Sequence, residues 1–126
     1  MSKPKILEMQ GTLLWKNENP TSNIAVGTTI VLKNDDYDLL KIIYRRHSAQ
    51  AVVYACECLK GFNADLTCMS TQLGNGWIRS RTLKYLTDTT LEIGPGYLQY
   101  VNADIGEDAG ACIPLYIIGY KIGLSE

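Results

Sequence analysis

The sequence predicts an all-β fold, an antiparallel β-sandwich of jelly-roll type, and three observations carry that prediction. Apolar and polar residues alternate at period two along most of the chain, whereas helical i, i+3, i+4 stripes are rare. β-Branched and aromatic residues crowd the alternating runs. Turn-forming clusters interrupt them roughly every 8 to 12 residues, the rhythm of a sandwich.

Taken in order, the expected strands are Thr12 to Lys16, Ile24 to Lys33, Asp38 to Arg46, Ala51 to Leu59, Leu66 to Leu73, Trp77 to Leu86, Thr89 to Ile93, Tyr97 to Asn102 and Ile113 to Ile122. Asn17 to Asn23 with Pro20, Asn34-Asp35-Asp36, Lys60 to Asn63, Gly94-Pro95-Gly96 and the longer Ala103 to Gly110 supply the turns between them. Gly74-Asn75-Gly76 sits between two alternating runs and predicts a tight hairpin, because Gly and Asn accept positive φ. Leu39, Leu40, Ile42 and Ile43 would also fit one helical face, and Asn34-Asp35-Asp36 could cap a helix. The β-rich neighbours on both sides decide for a strand.

Ala51 to Cys56 and Ile113 to Ile118 are apolar on both alternate sets, which is unusual for a sandwich strand with one face in water. A second layer or a second copy of the chain is expected to cover the extra face.

A chain of 126 residues, 46% hydrophobic and 20% charged, suits one globular domain over 1–126 with residues 1–10 as an N-terminal arm. Twelve Lys and Arg face 13 Asp and Glu, and no single-sign tract stands out, so neither nucleic acid nor a charged membrane surface is an expected partner. No apolar stretch approaches the roughly 20 residues of a bilayer span, and Met1 to Lys5 is followed by only Ile6 and Leu7 before Glu8. Synthesis in the cytosol without secretion is the expectation. Cys56, Cys58, Cys68 and Cys112 are then expected as free thiols, with a cross-strand disulfide only where the Cα separation allows one.

No catalytic signature stands out. His47 is the only histidine, and at a strand end between Arg46 and Ser48 it is expected to be solvated. Cys56-x-Cys58 puts two sulfurs on one strand face but lacks the knuckle spacing of a zinc site. Asn34-Asp35-Asp36 with Asp38, and Asn102 to Asp108, hold carboxylates without the pattern of a calcium loop, so no metal or other cofactor is expected. Asp36 and Asp104 are the acids that a glycan hydrolase would have to pair.

Aromatic rings remain. Trp15, Trp77, Tyr85, Tyr97, Tyr100, Tyr116 and Tyr120 could stack on sugar rings if exposed. Trp77, beside the Gly-rich turn and followed on the same face by Arg79 and Arg81, is the most distinctive, and Trp77, Arg79, Tyr97 and Tyr100 are the candidate ligand-binding residues.

Several phrases frame the chain: Leu14-Trp15-x-Asn17-x-Asn19-Pro20-Thr21-Ser22, Thr29-Ile30-x-Leu32, Asp36-Tyr37-Asp38 with Ile42-x-Tyr44-Arg45, Arg79-x-Arg81, and Ile113-Pro114-Leu115-Tyr116-Ile117-Ile118-Gly119-Tyr120-Lys121. In order and spacing they resemble the β-sandwich domains of bacteriophage tail, tail-fibre and baseplate proteins. The resemblance implies a virion structural protein that assembles as a trimer with other virion proteins, with host-surface saccharide as a further partner, and it carries no catalytic residues across. A capsid-decoration or head-fibre protein without a ligand is the alternative it leaves open, and a glycan hydrolase the second.

Overall fold

Two antiparallel sheets packed against each other make up the computed structural model, which describes residues 11–70 and 76–122. The elements are β1 (Thr12–Lys16), β2 (Thr29–Val31), β3 (Leu39–His47), β4 (Gln50–Leu59), β5 (Ala64–Ser70), β6 (Trp77–Thr87), β7 (Thr90–Tyr100), β8 (Gly106–Glu107) and β9 (Ala111–Tyr120). One sheet runs β1-β9-β3-β4; the other runs β2-β7-β6-β5, with β8 also on β7. No helix occurs among the described residues.

Period-two alternation builds the space between the sheets. Leu40, Ile42 and Tyr44 of β3 are buried, while Leu39, Lys41 and Ile43 between them are not. Leu66 and Cys68 of β5, Leu83 of β6, Leu91 and Ile93 of β7 and Ile117 of β9 meet them in one core with Leu14 and Ile30. Burying such a side chain contributes roughly 1.5–3 kcal/mol each, so this core is the main stabilising term.

Where structure and sequence pattern differ, a local cause is visible. The expected strand from Ile24 to Lys33 is reduced to Thr29–Val31. Gly27, at φ +86°, and the Thr28 N–H donating to the Ala25 carbonyl at 3.2 Å reverse the chain just before it. Ile24 is meanwhile tied by its N–H to the Ala109 carbonyl.

Gly94-Pro95-Gly96 is no turn either. β7 passes straight through it, and the register against β6 jumps from Arg81↔Gly96 to Leu83↔Ile93, a β-bulge. Proline fits because the bulge leaves its missing N–H out of the ladder. Gly96 is required by close approach: a Cβ there would meet the Arg81 guanidinium at 2.6 Å and the Asp108 carbonyl closer still. The loop expected from Ala103 to Gly110 contains the short β8, paired through Tyr97↔Glu107 and Leu98↔Gly106.

Positions 74 and 75 of the expected Gly74-Asn75-Gly76 hairpin turn lie outside the described residues, as does the arm at 1–10. The strands flanking that turn pair from Ala64↔Leu83 to Ser70↔Trp77.

The two doubly apolar segments have separate explanations. In β9, positive φ at Cys112 (49°) and the register shift opposite Ile43/Tyr44 disturb the alternation, and Ala111 to Pro114 are all buried. β4 is an edge strand, and Val52 and Val53 at its start are open to solvent.

Candidate functional site

Polar chemistry gathers at one end of the sandwich, where β3 ends, β6 begins and the β8–β9 connection crosses. The inward row of β3 ends in Arg46, opposite the Trp77-Arg79-Arg81 row of β6. Arg46 donates through Nε and Nη2 to the Tyr54 hydroxyl at 3.1 and 2.7 Å, and Tyr54 stacks on Tyr44 with centroids 5.9 Å apart. The Arg46 guanidinium carbon lies 5.1 Å from the Trp77 ring centre and that of Arg79 4.2 Å from it, both cation–π contacts. Arg79 continues the line, its Nε 3.4 Å from Asp108 Oδ2. That contact is an ion pair without hydrogen-bond alignment, and Nε has no other partner among the described residues.

Arg81 is 1% exposed. Its Nε, Nη1 and Nη2 donate to the carbonyls of Ala111, Gly94 and Ala109 at 2.8, 2.8 and 2.9 Å. Burial pulls its pKa down, and Cys112 and Asp108 pull it back. The side chain is therefore a clamp that holds the β7 bulge to the start of β9.

His47 differs from the solvated residue its sequence position suggests. The Ser48 N–H donates to the Gly110 carbonyl at 2.9 Å and brings the 108–110 segment over the strand end. His47 Nδ1 accepts the Ala49 N–H at 3.1 Å, which places the proton on Nε2, 3.2 Å from Asp108 Oδ1. The order Asp108, His47, Ser48 resembles a hydrolytic triad only as a list. The Ser48 hydroxyl donates to Asn23 Oδ1 at 2.7 Å and stands 3.5 Å from an Nδ1 already occupied by a backbone amide. The arrangement ties a turn to two loops.

Buried Cys68 and Cys112, from opposite sheets, meet at 3.8 Å between sulfurs, and all four thiols are free. The hydrogen bond from Cys112, with Arg79 and Arg46 nearby, holds the Cys68 pKa down; that same hydrogen bond and burial push Cys112 up.

The four candidate ligand residues do not form one cluster. Trp77 pairs with Tyr100 across β6 and β7, and Arg79 with Leu98, on the inward side; Tyr97 pairs with Ser80 on the outward side. Tyr100 is half exposed, but Trp77 already carries two guanidiniums. Asp36 and Asp104 are equally far from pairing. Asp36 contacts Lys121 at 2.6 Å near the start of β3, and Asp104 follows the end of β7 at the opposite end of the sandwich. Nine-residue β3 separates those ends by roughly 25 Å, several times the gap of a glycosidase pair. The Asn34 side chain accepts the Asp36 N–H in a turn, and no group of three potential metal ligands occurs among the described residues.

Sequence pattern alone missed a cavity of about 320 Å3 on the open side of the sandwich, between edge strands β1 and β2. Trp15, Ile24 and Ile30 form its apolar part. Asn17, Asn19, Ser22, Asn23, Thr28 and Thr29 supply polar lining from the chain between the two strands. Asn17 is fixed, its Nδ2 donating to the Pro114 carbonyl and its Oδ1 accepting the Asn19 N–H, each at 2.8 Å. The clustered Asn, Ser and Thr were visible in the sequence, but there they are indistinguishable from an ordinary turn.

No family model matches the chain, and neither the curated proteins nor the solved structures yielded a match.

Proposed function

We propose that this chain is a non-catalytic, self-associating subunit of a larger particle, of the phage-tail type that its framing motifs resemble, with adhesion to host-surface saccharide as a second task. The observation that supports self-association is the outer face of the β1-β9-β3-β4 sheet. Its cross-strand rows run Tyr120, Leu39, Leu59; then Leu13, Ile118, Lys41, Glu57; then Lys16, Tyr116, Ile43, Ala55, apolar but for Lys16, Lys41 and Glu57. Leu13 is 39%, Leu59 51% and Tyr116 38% exposed. The outer face of the other sheet carries Asp65, Thr67, Ser80, Thr82, Lys84 and Glu92 along its middle, with exposed Met69, Ile78 and Val31 towards its ends. Contiguous apolar cross-strand rows on an exposed sheet face are the kind of surface that an assembly covers.

Light scattering on the purified full chain tests the proposal. A mass of three chains at micromolar concentration is expected, together with co-purification on particles. A monomer throughout that range removes the argument.

A further inference from the structure

We propose that the cavity between β1 and β2 is a binding site for a neutral saccharide of one or two rings. This inference deepens the adhesive part of the function proposed above and rests on it for its biological meaning, but not for its chemistry.

Three features of the cavity select the ligand class. Its volume, about 320 Å3, is at the small end of small-molecule sites. Among the described residues its lining holds no ionisable group, so a carboxylate, phosphate or ammonium would lose water and meet no opposite charge there. A purely apolar ligand would in turn strip water from the Asn, Ser and Thr groups without replacing their hydrogen bonds. A molecule with a flat C–H face and a rim of hydroxyls satisfies both halves: the face against Trp15, the hydroxyls on amides and hydroxyl groups.

The polar groups are also oriented in advance. Asn23 Oδ1 is taken by the Ser48 hydroxyl, which leaves its amide NH2 to donate. Thr28 Oγ1 donates to the Ala25 carbonyl at 2.7 Å and keeps its lone pairs for an incoming hydroxyl. Because Ser48 neighbours His47, the Asn23 side chain is held by the same network that joins the 108–110 segment to the β3–β4 turn. The site is thus braced by the fold and needs little ordering when a ligand arrives.

The test is a titration of the 15N-labelled full chain, followed by NMR, with glucose, galactose, mannose, N-acetylglucosamine and their disaccharides, and with glucuronate as the charged comparator. Saturable shifts of the Trp15 indole N–H and the Asn23 side-chain amide are expected with at least one neutral sugar. Trp77 is expected to stay still. Asn19→Ala and Thr29→Val change exposed rim positions and should each weaken binding by about 3- to 10-fold, the worth of one hydrogen bond. Thr29→Val keeps a β-former in β2 and remains informative if Asn19→Ala fails to fold.

Four results would overturn the site: no saturable shift with any sugar, shifts centred on Trp77, glucuronate binding at least as tightly as glucose, or unchanged affinity in folded variants. The two proposals fail separately. An oligomer that binds no sugar removes the site alone, and a monomer that binds one removes the assembly alone.

Discussion

Arg81 shows how much one side chain can hold. A guanidinium has five donors in a rigid fork, and here three of its nitrogens reach carbonyls of the β7 bulge, the loop before β9 and the first residue of β9. Arg81→Met would take this donor from the Gly94 and Ala111 carbonyls and leave Ala109 with the Ile24 N–H alone, at a cost of about 2–6 kcal/mol. Chemical denaturation followed by circular dichroism measures it. Arg81→Lys should recover only part of the loss, since an ammonium cannot reach three divergent acceptors. A loss below about 1 kcal/mol in Arg81→Met would mean that other groups satisfy these carbonyls. Period two put Trp77, Arg79 and Arg81 on one strand face, with Trp77 and Arg79 as candidate ligand residues. The structure turns that face inward, because these cations find carbonyls, an aromatic ring and Asp108 there.

Among the elements, β5 is an edge strand whose open side is capped by a side chain. The Tyr44 hydroxyl donates to the Thr67 carbonyl at 2.6 Å and lies 3.2 Å from the Thr67 N–H, linking β3 of one sheet to β5 of the other. With the Thr67 groups occupied, the middle of this edge is a poorer template for unwanted pairing. Tyr44→Phe should cost about 1–2 kcal/mol at neutral pH.

Burial pushes the Tyr44 pKa from its ordinary 10.0 to about 12, partly offset by the Thr67 hydrogen bond. A folded-state value above the unfolded one stabilises fully below pH 10, and that contribution is lost as pH rises through 12. Burial also pushes Cys56 from 9.0 to about 11, with the same sign. The denaturation midpoint should therefore hold steady below pH 9, decline from there, and fall steeply between pH 10 and 12. In Tyr44→Phe the upper part of the decline should flatten. An unchanged slope in the variant would assign alkaline lability to other groups.

At the scale of the whole molecule, apolar cross-strand rows continue over the outer face of β1, β9, β3 and β4. Leu59→Glu or Tyr116→Glu puts a charge on an exposed position of that face, so the monomer fold should tolerate either change. Both should reduce the scattering mass to that of one chain at concentrations where the parent remains associated. The control is Thr82→Glu on the outer face of the other sheet, which should leave the mass unchanged. If the control dissociates as readily, the interface lies elsewhere.

The strands of this protein were legible because period two is a local property: the alternation in Leu39–His47 or Ala64–Ser70 needs no partner to be seen. Its irregular points were not. A Gly-Pro-Gly run reads as a turn until Arg81 arrives from the neighbouring strand to occupy the Gly94 carbonyl, and the Ile24 run reads as strand until Gly27 reverses it. The aromatic and basic candidates were visible as residue types, but Trp77 and Tyr97 fall on opposite faces and the cavity beside Trp15 joins strands from different sheets. Local sequence determined where the chain extends and which side of each strand is apolar. Only the packing of the two sheets decided which polar groups meet, because those meetings join residues such as His47 and Asp108 that lie far apart along the chain.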